Sequence, residues 1–214
     1  MHIPDGFLDP VSAGATYAIF VAFAVYAFKR VKLSLNPESA PLVTVLAASI
    51  FAAQMLNWPI PGGTSLHFVG SALAGILLGP WLGFLALFLV LLVQCLVFHD
   101  GGITALGANV LNMGIIGVLV GYALYRVIVR RFGASSTTRA TAAFLAGWAS
   151  TLIAGLACGV EIGLSPSTPY GYTVTIPVMG GWHAVLGVVE GAITAAVVEY
   201  IAARSPGLIA AERW

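Results

Sequence analysis

Long apolar runs, separated by small clusters of charge, make up nearly all of this chain, and few folds are open to such a polypeptide. Of its 214 residues, 59% are apolar and 8% charged, with a mean hydropathy of +0.98; in soluble domains about a quarter are charged. In water these runs would aggregate, whereas a bilayer accepts them as helices whose backbone hydrogen bonds are all internal. The sequence predicts an all-α polytopic membrane protein, one integral membrane domain over 1–214, multi-pass in the cell membrane. A net charge of +1 points to neither nucleic acid nor a strongly acidic partner. Cys95 and Cys158 lie inside apolar runs with no CxxC spacing and read as small core hydrophobes. No basic stretch precedes the first apolar segment, so no cleaved signal peptide is expected.

Seven helices are predicted, near 11–28, 40–56, 66–79, 81–98, 104–130, 138–163 and 178–203. The third is short: ~14 residues at 1.5 Å each cover about two thirds of a 30 Å core, so segment 58–65 is expected to dip in and complete the span. A break at Gly79 and Pro80 decides the topology. With it, Lys29, Arg30, Lys32, Arg126, Arg130, Arg131, Arg139, Arg204 and Arg213 all fall on one face; without it, the 126–139 cluster moves to the other. The positive-inside rule favours the break, which places the N-terminus outside and the C-terminus in the cytoplasm. Pro80 can open a new helix at no hydrogen-bond cost. Gly75/Gly79, Gly117/Gly121, Gly155/Gly159 and Gly187/Gly191 form GxxxG pairs, whose ordinary role is close packing within one bundle; a docking surface for another membrane subunit is the alternative. The polar, proline-rich loop 163–177 lies outside.

The chemistry gathers on the outer side, where all four histidines fall. Terminal Met is normally removed only before a small residue, so Met1 should survive beside His2. Its primary amine, with an ordinary pKa of about 8, can give up a proton to a metal near neutral pH. The amine and the backbone nitrogen of His2 close a five-membered chelate ring; that nitrogen and His2 Nδ1 close a six-membered one. Three nearly coplanar nitrogens suit Ni(II) or Cu(II) and can be imposed on Co(II). Loss of the amide proton excludes Mg2+ and Ca2+, which prefer oxygen. The fourth nitrogen is assigned to His67, at the outer end of the predicted third helix, where Gly62 and Gly63 let backbones approach. His183 and His99 read as supporting or structural. Asp100, Asn109 and Asn112 form a polar element at the same depth, suited to orienting imidazoles. Glu190, near mid-membrane, is a functional candidate or the partner of a polar neighbour.

Four stretches carry a family resemblance: MHIPDGFL at 1–8, NWPIPGGTSLH at 57–67, DGGITALGAN at 100–109 and HAVLGVVEG at 183–191. The chain resembles the CbiM/NikM family, the substrate-capture subunits of energy-coupling-factor transporters for cobalt and nickel. The resemblance implies seven helices, an N-terminal segment (1–9) plugged into the bundle, and Met1, His2 and His67 as the ligand nitrogens. Asn57, Trp58, Ser65, Asp100, Asn109 and His183 are then the expected supporting residues. It also implies a transmembrane coupling subunit, two cytoplasmic ATPases of the ABC type and, often, a small accessory membrane subunit. Ni2+ or Co2+ would be cargo, with no resident cofactor. Many cobalt-branch members have Met-Glu where this chain has Pro4 and Asp5, which leaves both metals open.

The chain has no GxxxxGK[ST] motif, and Lys29 and Lys32 are its only lysines, so it cannot bind ATP in the P-loop manner. The expectation is a capture subunit without enzymatic activity of its own. The alternative is a self-sufficient secondary carrier with Glu190 as its proton-coupled group. An intramembrane metalloenzyme fits poorly: there is no HExxH, and four nitrogens leave no open position.

Overall fold

The computed structural model describes residues 1–34, 37 and 39–213. It is mainly helical: α1 (Pro10–Ser34), α2 (Ser39–Gln54), α3 (Ser71–Phe98), α4 (Leu106–Phe132), α5 (Ser136–Leu164) and α6 (Tyr172–Arg204). All but α2 are long and apolar enough to cross a membrane. The outward faces are apolar too; on α6, Trp182, Val185 and Val189 are each more than half exposed, as lipid contact requires. Together these features make the chain a multi-pass membrane protein.

Helix α3 is not straight. At Gly79 the backbone leaves helical geometry (φ 77°, ψ 176°), and Pro80 begins the next stretch. A Cβ on Gly83 would lie 3.0 Å from the backbone of Ala74. In an unbroken helix residues nine apart are about 13.5 Å apart along the axis, so the chain folds back on itself at Gly79. The break expected from the charge pattern is present, and α3 is a hairpin of two helical arms.

The bundle packs through small residues. A Cβ on Gly121 would meet Ala72 Cα at 2.5 Å, one on Gly75 the Val118 carbonyl at 2.7 Å, and one on Gly191 the Phe144 carbonyl at 2.6 Å. Gly117, Gly155, Gly159 and Gly187 face neighbouring helices just as closely. Every glycine of the GxxxG pairs except Gly79, which makes the break in α3, thus serves packing inside this chain.

Two departures from the predicted helices stand out. The third does not start at 66: Asn57–Pro59 (β1) and Ser65–His67 (β2) pair antiparallel, with Asn57 opposite His67, and helix begins only at Ser71. Pro59 and Pro61 oppose helix, Gly62 turns the hairpin at φ 78°, and Gly70 at φ 75° starts α3. The segment expected to dip in as part of a span is this hairpin, and His67 sits on a strand. The last helix begins six residues earlier than predicted, at Tyr172, with Pro177 inside it. There Thr175 Oγ1 donates to the Gly159 carbonyl at 2.6 Å, and Gly163 lies against Tyr172. Packing onto α5 overrides the one hydrogen bond that Pro177 removes.

Basic residues gather at one end. Lys32, Arg130, Arg131 and Arg204 occupy the last turns of their helices. Arg126 and Arg213 line one cavity with Ser34, Ser39, Gly79 and Pro80. The tail folds over this end: Arg139 forks onto Glu212 at 2.8 and 2.7 Å, Tyr125 donates to the same carboxylate at 2.6 Å, and Ile209 is fully buried. The opposite end holds the N-terminal segment.

Candidate metal centre

The first nine residues are built into the protein. Met1 and Ile3 are fully buried in a core cluster with Phe84, Cys158 and Met179. Asn109 clamps Ile3 from both sides: the Ile3 N–H donates to Oδ1 at 2.8 Å, and Nδ2 donates to the Ile3 carbonyl at 3.1 Å. The same carbonyl accepts the Gly102 N–H at 2.8 Å. A Cβ on Gly102 would lie 2.2 Å from the Asp5 nitrogen, so only glycine fits there. Asp5 accepts from the Thr104 N–H at 2.7 Å and its hydroxyl at 2.5 Å, which holds its carboxyl below the usual range. Asp9 caps α1 through the N–H groups of Val11 and Ser12.

This anchoring delivers three nitrogens to one place. The Met1 amine donates to the Ser65 carbonyl and to Ser65 Oγ, the latter at 2.7 Å. The His2 N–H donates to the same hydroxyl at 3.2 Å. The rings of His2 and His67 stack with centroids 4.3 Å apart and planes within 11°. His67 is fully buried; its Nδ1 pairs with the Phe68 carbonyl at 2.7 Å and its Nε2 has no partner. That pairing puts the proton on Nδ1 and leaves the Nε2 lone pair free to ligate. Burial pushes the Met1 amine down to about 5 and lowers His67 well below the ordinary histidine range. His2 is lowered too, chiefly by burial. All three nitrogen groups are therefore uncharged at neutral pH, the form in which a metal takes them.

Around them, His2 Nδ1 lies 3.1 Å from Asp100 Oδ1, within ion-pair reach but without hydrogen-bond alignment. Burial raises the Asp100 carboxyl, but its contacts with His2 and Asn57 outweigh that, so it is held below its usual value. Asn57 Nδ2 donates to the other Asp100 oxygen at 3.0 Å. His183 is buried, its Nδ1 on the Met179 carbonyl at 2.7 Å and its Nε2 without a partner. Trp58 is 58% exposed at the rim of the hairpin and is not brought into the cluster. His99 is exposed at the mouth, with φ 54°. Asn112 does not face the histidines; it donates to Glu161 at 2.6 Å. Glu190 is 1% exposed and accepts the N–H groups of Val69 and Gly70 at the start of α3. Glu190 thereby ties the two residues just ahead of α3 to α6.

Among the described residues, no three His, Cys, Asp or Glu side chains converge as metal ligands. An ion held here needs nitrogens of the main chain, and only the N-terminal segment offers them beside two imidazoles. Two neighbours were not legible in the sequence. Cys158 Sγ lies 3.8 Å from the Met1 carbonyl. Gln94, fully buried, stands beside His2 where Gln94–Phe98 is wound as π-helix.

Comparison with known proteins places the chain in a family. The family described as "Cobalt uptake substrate-specific transmembrane region" matches residues 2–208. A putative fused nickel transport protein of Archaeoglobus fulgidus is 57% identical over 209 residues, 98% of this chain and 68% of the relative. A cobalt transport protein, CbiM, of Sorangium cellulosum is 32% identical over 217 residues, 98% of this chain and 94% of that one. A solved structure described as a truncated transition metal transporter superposes with a TM-score of 0.88 at 38% identity, covering 94% of this chain and 98% of the other. The match over nearly the full length, in sequence and in fold, establishes that the chain belongs to the CbiM family.

Proposed function

We propose that this chain captures Ni2+ or Co2+ through the Met1 amine, the His2 amide nitrogen and imidazole, and His67 Nε2. It would act as the specificity subunit of an ATP-driven importer. The observation that carries this reading is the fully buried terminal amine set beside two imidazoles, with His67 Nε2 free of any other partner. A buried amine held at about 5 offers its lone pair where an exposed one would carry a proton. For the chelate to close, the His2 N–H must leave Ser65, and His2 Nδ1 must exchange its contact with Asp100 for the ion. Four nitrogens in a plane select a late transition metal over Mg2+.

In this reading the arms of the α3 hairpin count separately, which makes seven crossings. The basic end faces the cytoplasm and the histidine end the outside. Reorientation requires a transmembrane coupling subunit and two ATPases, with a small accessory membrane subunit as a further partner, because this chain holds no phosphate-binding loop. Glu190, the group a secondary carrier would need, is committed to the backbone of Val69 and Gly70. The test is titration of the purified protein with Ni2+ and Co2+, read in the visible and repeated after acetylation of the terminal amine. Micromolar or tighter binding, abolished by acetylation, is expected. Binding that survives acetylation contradicts the assignment.

A further inference from the structure

Gln94 is a buried amide with nothing to bind. It is fully buried, and neither Oε1 nor Nε2 has a hydrogen-bond partner. Such a group is costly to bury without a role. Its position is set with care: Gln94–Phe98 is wound as π-helix, a winding that is rare and concentrated at functional sites. The Gln94 carbonyl accepts the Asp100 N–H at 3.0 Å, and the Asp100 carboxylate lies 3.1 Å from His2 Nδ1. Asp100 thus joins the Gln94 backbone to the His2 ring, and the buried Gln94 amide is among the groups that raise the ring's proton affinity against the larger effect of burial. The far nitrogen of that ring, Nε2, is also buried and without a partner.

These two orphans complement each other. Neutral imidazole carries one proton, on either Nδ1 or Nε2. With Nδ1 toward Asp100, the proton sits on Nδ1 and Nε2 is a bare acceptor. With Nδ1 on a metal, the proton must sit on Nε2, which then needs an acceptor. A primary amide serves both states: its NH2 donates to bare Nε2, and after rotation its oxygen accepts from Nε2–H. A carboxylate could serve only the second state, and an apolar side chain neither. We infer that Gln94 is a positioning residue for metal capture, holding His2 in the Nε2–H tautomer that frees Nδ1 for the ion. The inference rests on the proposed chelate.

The test uses the full-length protein with histidine ring nitrogens labelled with 15N. Planar Ni(II) is diamagnetic, so ring resonances of the nickel-loaded protein are observable. In the wild type, His2 is expected to carry its proton on Nε2, with slow exchange. Gln94→Met should weaken nickel binding by about 10–100-fold and speed exchange of that proton, while the folded fraction on gel filtration is unchanged. Gln94→Glu, which keeps an acceptor, should restore affinity to within a few fold. Unchanged affinity and unchanged His2 resonances in Gln94→Met would overturn the inference. So would a nickel-loaded wild type with no proton on His2 Nε2, a result that does not depend on the variants folding. If the acetylated protein binds nickel as well as the native one, the chelate itself is wrong. If acetylation abolishes binding and Gln94→Met does not weaken it, the failure is confined to Gln94.

Discussion

Ser65 meets both the terminal amine and the His2 N–H, so one hydroxyl sets the spacing of two nitrogens. Ser65→Ala should weaken metal binding by about 10–100-fold, as removal of orienting partners generally does, which isothermal titration would read. His67→Ala should abolish binding, since it removes the only buried imidazole nitrogen stacked against His2 and left free. His99→Ala, exposed at the mouth, should bind as the wild type does. Asn109→Ala leaves the Ile3 N–H without a partner and its carbonyl with Gly102 alone, and leaving a buried group unsatisfied costs about 1–3 kcal/mol. It should loosen residues 1–5, seen as faster amide exchange there, and lower metal affinity as a consequence. The Met1–His2 chelate was legible because its chemistry is written in residue order, whereas His67 was assigned by its depth and by the family resemblance; the structure stacks it on His2. Gln94 and Cys158 were not, because an isolated polar residue in an apolar run shows neither its depth nor its neighbours until the helices are packed.

At the level of elements, the glycines carry the tightest contacts. Gly121→Leu would drive a side chain into Ala72, where even a Cβ comes within 2.5 Å. Overpacking of this kind costs typically 1–3 kcal/mol, so the variant should melt earlier in detergent than the wild type. Gly133→Leu is the control for bulk, because that position has open space around it, although its positive φ adds some strain. The break at Gly79 was predictable because charge parity demanded it, a constraint that acts over the whole chain. The β-hairpin at 57–67 escaped a periodicity-based reading. Three-residue strands are too short to alternate visibly, and Pro59, Pro61 and two glycines marked only that helix was interrupted. The early start of α6 was hidden for the opposite reason: Pro177 argues against helix locally, and the contact between Thr175 and Gly159 that favours it is 16 residues away.

Over the whole molecule, one end concentrates arginine and the C-terminal tail, and the other holds a sealed N-terminal segment with the histidines around it. Membrane character followed from composition alone, and the placement of charge followed from counting crossings. A single-cysteine scan in intact cells, on a background with Cys95 and Cys158 replaced by Ala, tests the orientation. A cysteine at Ser167 should react with an impermeant maleimide from outside, and one at Ser135 should not. Vesicles holding this chain alone should bind metal but accumulate none, whereas accumulation driven by a proton gradient would point to a secondary carrier.

The most direct measurement compares nickel binding by the native protein with binding by the same protein bearing one extra, N-acetylated alanine before Met1; a free-amine Ala-Met-His terminus would itself offer nickel four planar nitrogens. The acetylated residue turns the Met1 nitrogen into an amide and leaves no free terminal amine beside Ser65 and the two imidazoles. A yellow, diamagnetic one-to-one complex in the native protein and none in the extended one is the predicted result. Equal affinity and identical spectra in the two proteins would contradict the account.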